Sequence, residues 1–267
     1  MGQSGRVTAD APESLVTRPT AGSSGLRIEV LLVLALSLGQ SAVYAVVSLT
    51  AKLTADRPLS QQTATMNASQ SPRPWLDLTY QLLGIAFALV PVLLAVHLLR
   101  RDRPDPPTLG VDLRRPASDT GWGAALAAGI GIPGLLLVYA AAALGLNAQL
   151  VPAALNPVWW AVPVLILSAI QNAVLEEVIV VGYLMTRLRE MAWRTGVIIA
   201  TSAVLRGSYH LYQGFGAFVG NAVMGVVFAL FFLRFKRVLP LIIAHSLLDI
   251  AAFVGYTLLP KDWLSWL

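Results

Sequence analysis

Long apolar runs constrain this chain more than any other feature. Seven segments, at 28–51, 76–99, 121–146, 158–188, 196–212, 217–233 and 238–259, meet or approach the roughly 20 apolar residues that cross a bilayer. The composition agrees: 56% of residues are hydrophobic and 12% are charged, against about 25% charged in a soluble domain. So little charge cannot cover a soluble core of this size. The expected fold class is therefore all-α, a polytopic transmembrane helix bundle of about seven spans. Residues 1–26 carry no apolar period and are rich in Gly, Ser, Pro and Thr, which predicts a disordered cytoplasmic tail. Residues 27–267 form the membrane bundle.

Basic residues set the expected orientation. With the N-terminus inside, the inner side holds Arg6, Arg18, Arg27, Arg100, Arg101, Arg103, Arg114, Arg115, Arg187, Arg189, Arg194, Arg234, Lys236 and Arg237. The outer side holds Lys52, Arg57, Arg73 and Lys261. That asymmetry is the positive-inside pattern, and it reads the net charge of +5 as basic loops without any nucleic-acid partner. The excess of Arg over Lys points to a GC-rich bacterial genome, and so to a bacterial inner membrane. Cysteine is absent, which excludes thiol catalysis and Cys-ligated metal.

Four charged residues fall inside the spans, away from their ends: Glu176 and Glu177 in the fourth, Arg206 in the fifth and Asp249 in the seventh. Each costs about 2.5–3.5 kcal/mol at the bilayer centre on insertion scales, so they must face one another or water. His210 follows Arg206 by four residues and His245 precedes Asp249 by four, which places each pair on one helix face. Spans one to three are almost free of charge, so a single buried polar site in the later spans is expected. Asn221, Gln171 and Asn172 read as helix–helix hydrogen bonders. His97 and the pairs Trp159–Trp160 and Trp263–Trp266 read as interfacial groups.

A carboxylate buried beside a histidine can hold a water, draw off its proton and direct the hydroxide at a carbonyl. A second polar pair, His245 with Asp249, can stabilise the resulting oxyanion. Zinc on the same Glu, His and Asp groups would supply an equivalent nucleophile, but the chain has no H-E-x-x-H motif. Nor do its apolar segments carry the G-x-G-D or G-x-S-G arrangements of aspartyl and serine intramembrane proteases. A proton-coupled transporter is a further reading of intramembrane acids and histidines; it lacks support from repeated halves.

At these residues the sequence resembles the CPBP (CAAX protease and bacteriocin-processing, Abi) family of intramembrane proteases, which includes the type II CAAX prenyl endopeptidases. The resemblance covers about 158–255. The family's E-E-x-x-x-R-G motif, followed by Tyr-Leu, reads Glu176-Glu177-Val178-Ile179-Val180-Val181-Gly182-Tyr183-Leu184 here. Its F-x-x-x-H motif reads Arg206-Gly207-Ser208-Tyr209-His210, and its H-x-x-x-N/D motif reads His245-Ser246-Leu247-Leu248-Asp249. The resemblance implies an endopeptidase in which Glu176 and His210 activate water while His245 and Asp249 form the oxyanion side. It implies no cofactor, although members have been called metalloproteases. The implied partners are a peptide or membrane-protein substrate and the lipid bilayer, with a leader or signal peptide the natural substrate in a bacterium. Two departures stand out: the motif Arg is Val181 and the motif Phe is Arg206. They fit a relocated charge partner for Glu177, or a catalytically inactive relative that binds peptide as a scaffold or immunity protein.

Overall fold

The fold, a computed structural model, describes residues 23–101, 109–260 and 262. Most of the expected tail lies outside the described residues, as do Arg6, Arg18, Arg103, Lys261, Trp263 and Trp266. Helix α1 (Ser23–Ala35) begins within the expected tail, so residues 23–26 are helical and not disordered. It continues into α2 (Leu38–Leu53) across a bend of 56°. The bend has a local cause: Ser37 Oγ donates to the Val33 carbonyl at 2.6 Å, drawing the hydroxyl into the ladder of the preceding turn.

A short strand, β1 (Thr63–Ala68), leads to α3 (Pro74–Ala88) and α4 (Val90–Arg100). Pro91 interrupts this span because it has no N–H to give the preceding turn. Helix α5 (Pro116–Ala143) is followed by β2 (Gln149–Ala154). The central element is a continuous helix: α6 (Ala161–Glu176), a π-helical stretch over Glu177–Leu184, and α7 (Met185–Glu190). Then come α8 (Thr195–Ser208), a 3-10 turn at Leu211–Gln213, α9 (Phe215–Phe235) and α10 (Leu239–Leu258).

Among the described residues, five helices are long and apolar enough to cross a membrane, or six if the bent α1–α2 pair is one span. The chain is an all-α polytopic bundle. The expected segment 196–212 differs: α8 has only 14 residues, about 21 Å at 1.5 Å per residue. The span Ala161–Glu190 has 67% of its apolar window buried, against 6% for Pro116–Ala143. A helix apolar all round belongs inside a bundle, and this one is the core around which α4, α8, α9 and α10 pack.

The strands β1 and β2 pair in parallel, from Thr63 with Gln149 to Ala68 with Ala154. Beyond this sheet the Ala148 N–H donates to the Gln213 carbonyl at 2.9 Å, and Lys52 Nζ donates to the carbonyls of Thr63 and Tyr212 at 3.0 and 2.8 Å. The sheet and α2 thus clamp the turn that follows α8.

At the opposite ends of the helices, partly buried ion pairs join separate elements. Arg187 meets Glu29 on α1 at 2.7 Å and the Leu98 carbonyl on α4 at 2.8 Å. Arg237, between α9 and α10, grips Asp119 with two contacts at 2.6 and 2.7 Å and also reaches Asp112. The Arg237 guanidinium holds the Asp112 carboxyl below its ordinary range.

Candidate active site

Three helices bring the intramembrane charges together. Glu176 ends α6, Glu177 opens the π-helical stretch, Arg206 lies in the last turn of α8 and His245 lies on α10. π-helical turns occur often at functional sites, and this one begins between the two carboxylates. Arg206 Nη2 contacts both oxygens of Glu177 at 2.7 Å, and Nη1 lies 3.2 Å from Glu176 Oε2. One guanidinium therefore serves both acids, through Nη2 to Glu177 and Nη1 to Glu176. Arg206 and Glu177 are fully buried. The guanidinium also stacks over Phe228 of α9, 5.4 Å from the ring centroid.

The expected pairing of Arg206 with Glu177 is present in the structure. The additional contact to Glu176 goes beyond it. Val181, where the family pattern has Arg, is fully buried among apolar neighbours.

His210 is not on the helix face expected from its spacing. Helix α8 ends at Ser208, and His210 stands in the turn beyond it, with Nε2 4.0 Å from Glu176 Oε2. No hydrogen bond satisfies that nitrogen among the described residues. His245 Nδ1 meets Glu177 Oε1 at 2.7 Å, and its Nε2 lies 3.6 Å from Asp249 Oδ1, one turn along α10. The expected helix–helix role does not hold for Asn221, whose amide donates back to Ala217 on its own helix. Trp160 is buried while Trp159 is exposed, so only Trp159 can serve as an interfacial anchor.

Two residues at the site carry no signal that sequence reasoning used. Tyr209, beside His210, donates its hydroxyl to Glu176 Oε2 at 2.7 Å. Gln213 places its amide nitrogen 3.2 Å from His210 Nδ1. A phenol next to a motif histidine and a buried amide three residues after it are the only hints the chain offers.

Gly214 keeps this turn in place. Its φ of +124° suits glycine alone, and a Cβ there would lie 2.5 Å from the Leu146 carbonyl oxygen. Asn147 Oδ1 accepts from Gly216 N at 2.9 Å, capping the start of α9 beside it. Gly214→Ala is expected to cost about 1–3 kcal/mol and to displace His210. A lowered thermal midpoint together with lost activity checks this; an unchanged midpoint refutes it.

A bundle of this kind, with acids and histidines gathered on its later helices, defines a polytopic helical protein with a buried polar site. Residues 158–251 match the family described as Type II CAAX prenyl endopeptidase Rce1-like, and over that segment the chain is similar to the CAAX-type intramembrane proteases. The match begins just before α6 and ends within α10, so it takes in every charged site residue named above. No curated protein and no solved structure matches the chain.

Proposed function

We propose that the protein is an intramembrane endopeptidase that hydrolyses a peptide bond of a membrane-associated substrate with a water held between Glu176 and His210. The single observation that carries this reading is the facing acid–histidine pair. Glu176 and His210 lie 4.0 Å apart with the histidine nitrogen unpartnered, next to a second polar pair, His245 and Asp249. Glu176 takes the water proton, the oxygen adds to the carbonyl carbon, and His245 faces the oxyanion. Collapse breaks the C–N bond, and the amine leaves with the proton held by Glu176.

Arg206 supplies the positive charge in this cavity. Oxygen and nitrogen atoms of Glu176, Glu177 and His245 all lie within 4.8 Å of one another, close enough to hold a metal ion, but the guanidinium already bonds both carboxylates. Activity is therefore expected to be independent of divalent metal. One tightly held zinc per chain, with activity lost on chelation and restored by zinc, would overturn that.

A second reading, a catalytically inactive relative that binds peptide, draws on one observation: Arg206 and Tyr209 both occupy Glu176 Oε2. Cleavage decides between them. The protein in lipid nanodiscs is incubated with a library of fluorogenic lipid-anchored peptides, alongside a comparison of membrane-protein termini in cells with and without it. Cleavage that disappears in Glu176→Ala supports the endopeptidase, and its absence in both assays supports the scaffold. A bacterial inner membrane and a leader or signal peptide substrate belong to this proposal.

A further inference from the structure

An imidazole offers two nitrogens, and the group bonded to one decides what the other can do. His210 directs Nε2 at Glu176, while Nδ1 lies 3.2 Å from the side-chain nitrogen of Gln213. That same nitrogen lies 2.9 Å from the Tyr212 hydroxyl. A carboxamide nitrogen has two hydrogens and no acceptor site, so one N–H goes to Tyr212 and the other to His210. Nδ1 must then accept, and a neutral imidazole whose Nδ1 accepts carries its proton on Nε2.

We infer that Gln213 is a positioning residue that fixes the tautomer of His210, so that His210 presents an N–H to the cavity and Glu176 is the sole base of the pair. The inference rests on the endopeptidase reading and deepens it. His210 Nε2–H orients the water oxygen by donating to it, and Glu176 receives the water proton and passes it to the leaving nitrogen. His210 ends the cycle with its proton unchanged.

Gln213 is held firmly enough for this task. It is buried, its N–H donates to the His210 carbonyl at 3.0 Å, and its carbonyl accepts from Ala148 at 2.9 Å. Lys52 grips the carbonyl of the neighbouring Tyr212. Both Lys52 and Ala148 lie outside the matched segment 158–251. The other titratable or charged groups around His210 are Glu176 on α6, Arg206 and Tyr209 at the end of α8, Tyr212 in the turn, and His245 and Asp249 on α10. Among the described residues, the His210 ring has one hydrogen-bond partner, Gln213.

The test reads the proton directly. Protein labelled with ¹⁵N-histidine is studied by NMR in nanodiscs, with the spectrum of His210→Gln identifying which signals belong to His210. The expected spectrum shows neutral His210 as the Nε2–H tautomer in the wild type, and a mixture of tautomers in Gln213→Leu. In cleavage of the fluorogenic peptides, Gln213→Leu is expected to lower kcat at least about tenfold, because a wrong imidazole tautomer is known to be severe in serine proteases, with KM changed less than about twofold. A wild-type spectrum showing Nδ1–H, or a Gln213→Leu spectrum identical to wild type, overturns the inference even if Glu176→Ala abolishes cleavage. A wild-type Nε2–H signal that mixes in Gln213→Leu upholds the tautomer assignment, and loss of the endopeptidase reading would then show separately as cleavage that survives Glu176→Ala.

Discussion

Arg206→Phe is expected to destabilise the bundle by about 3–5 kcal/mol, since removing one member of a buried ion pair strands the rest. The loss here is at the severe end, because the guanidinium serves two carboxylates at once. Phe at this position is what the family pattern carries, so the residue type itself is compatible with an α8 of this kind. What is missing is the cation that the pattern places at the position of Val181. Adding Val181→Arg should therefore recover much of the lost stability and activity. Thermal unfolding and peptide cleavage of the single and double variants check this. A harmless Arg206→Phe, or a double variant no better than the single, removes the relocated-pair account and favours the inactive relative.

Glu176→Gln is expected to lower the cleavage rate by about 10²–10⁴-fold, the usual contribution of a positioned acid–base group, without unfolding the protein. An amide keeps the volume and can still accept the Tyr209 hydroxyl, which now bonds Oε2 at 2.7 Å, while Arg206 keeps both contacts to Glu177. It cannot take a proton from water. A variant that cleaves at the wild-type rate while folded would remove Glu176 from the mechanism.

Much of this arrangement is legible in the chain because charge is scarce. In an apolar background Glu176, Glu177, Arg206 and Asp249 identify themselves by cost alone, and the requirement that they meet predicts which helices must touch. The helices themselves follow from their apolar length. What escapes is short or conformationally ordinary. β1 and β2 are six residues each and show no clean apolar alternation, so nothing marks them as strands until they pair across the fold. The break after Ser208 depends on how Gly214 and the sheet hold the next turn, and it moves His210 off the helix on which its spacing places it. Tyr209 and Gln213 belong to residue types that usually do nothing special, and only proximity to Glu176 and His210 gives them meaning.

Moving a cation from one helix to its neighbour has a consequence for how such a site changes over generations. Exchange between the family's arrangement and this one takes two substitutions, and the two orders are not equivalent. Losing the arginine at position 181 first leaves Glu176 and Glu177 buried without a permanent cation. Gaining Arg206 first places a second cation in a cavity that holds three carboxylates, Glu176, Glu177 and Asp249, where an extra positive charge meets partners. The path through two arginines is the passable one, and a chain caught midway along it would carry both.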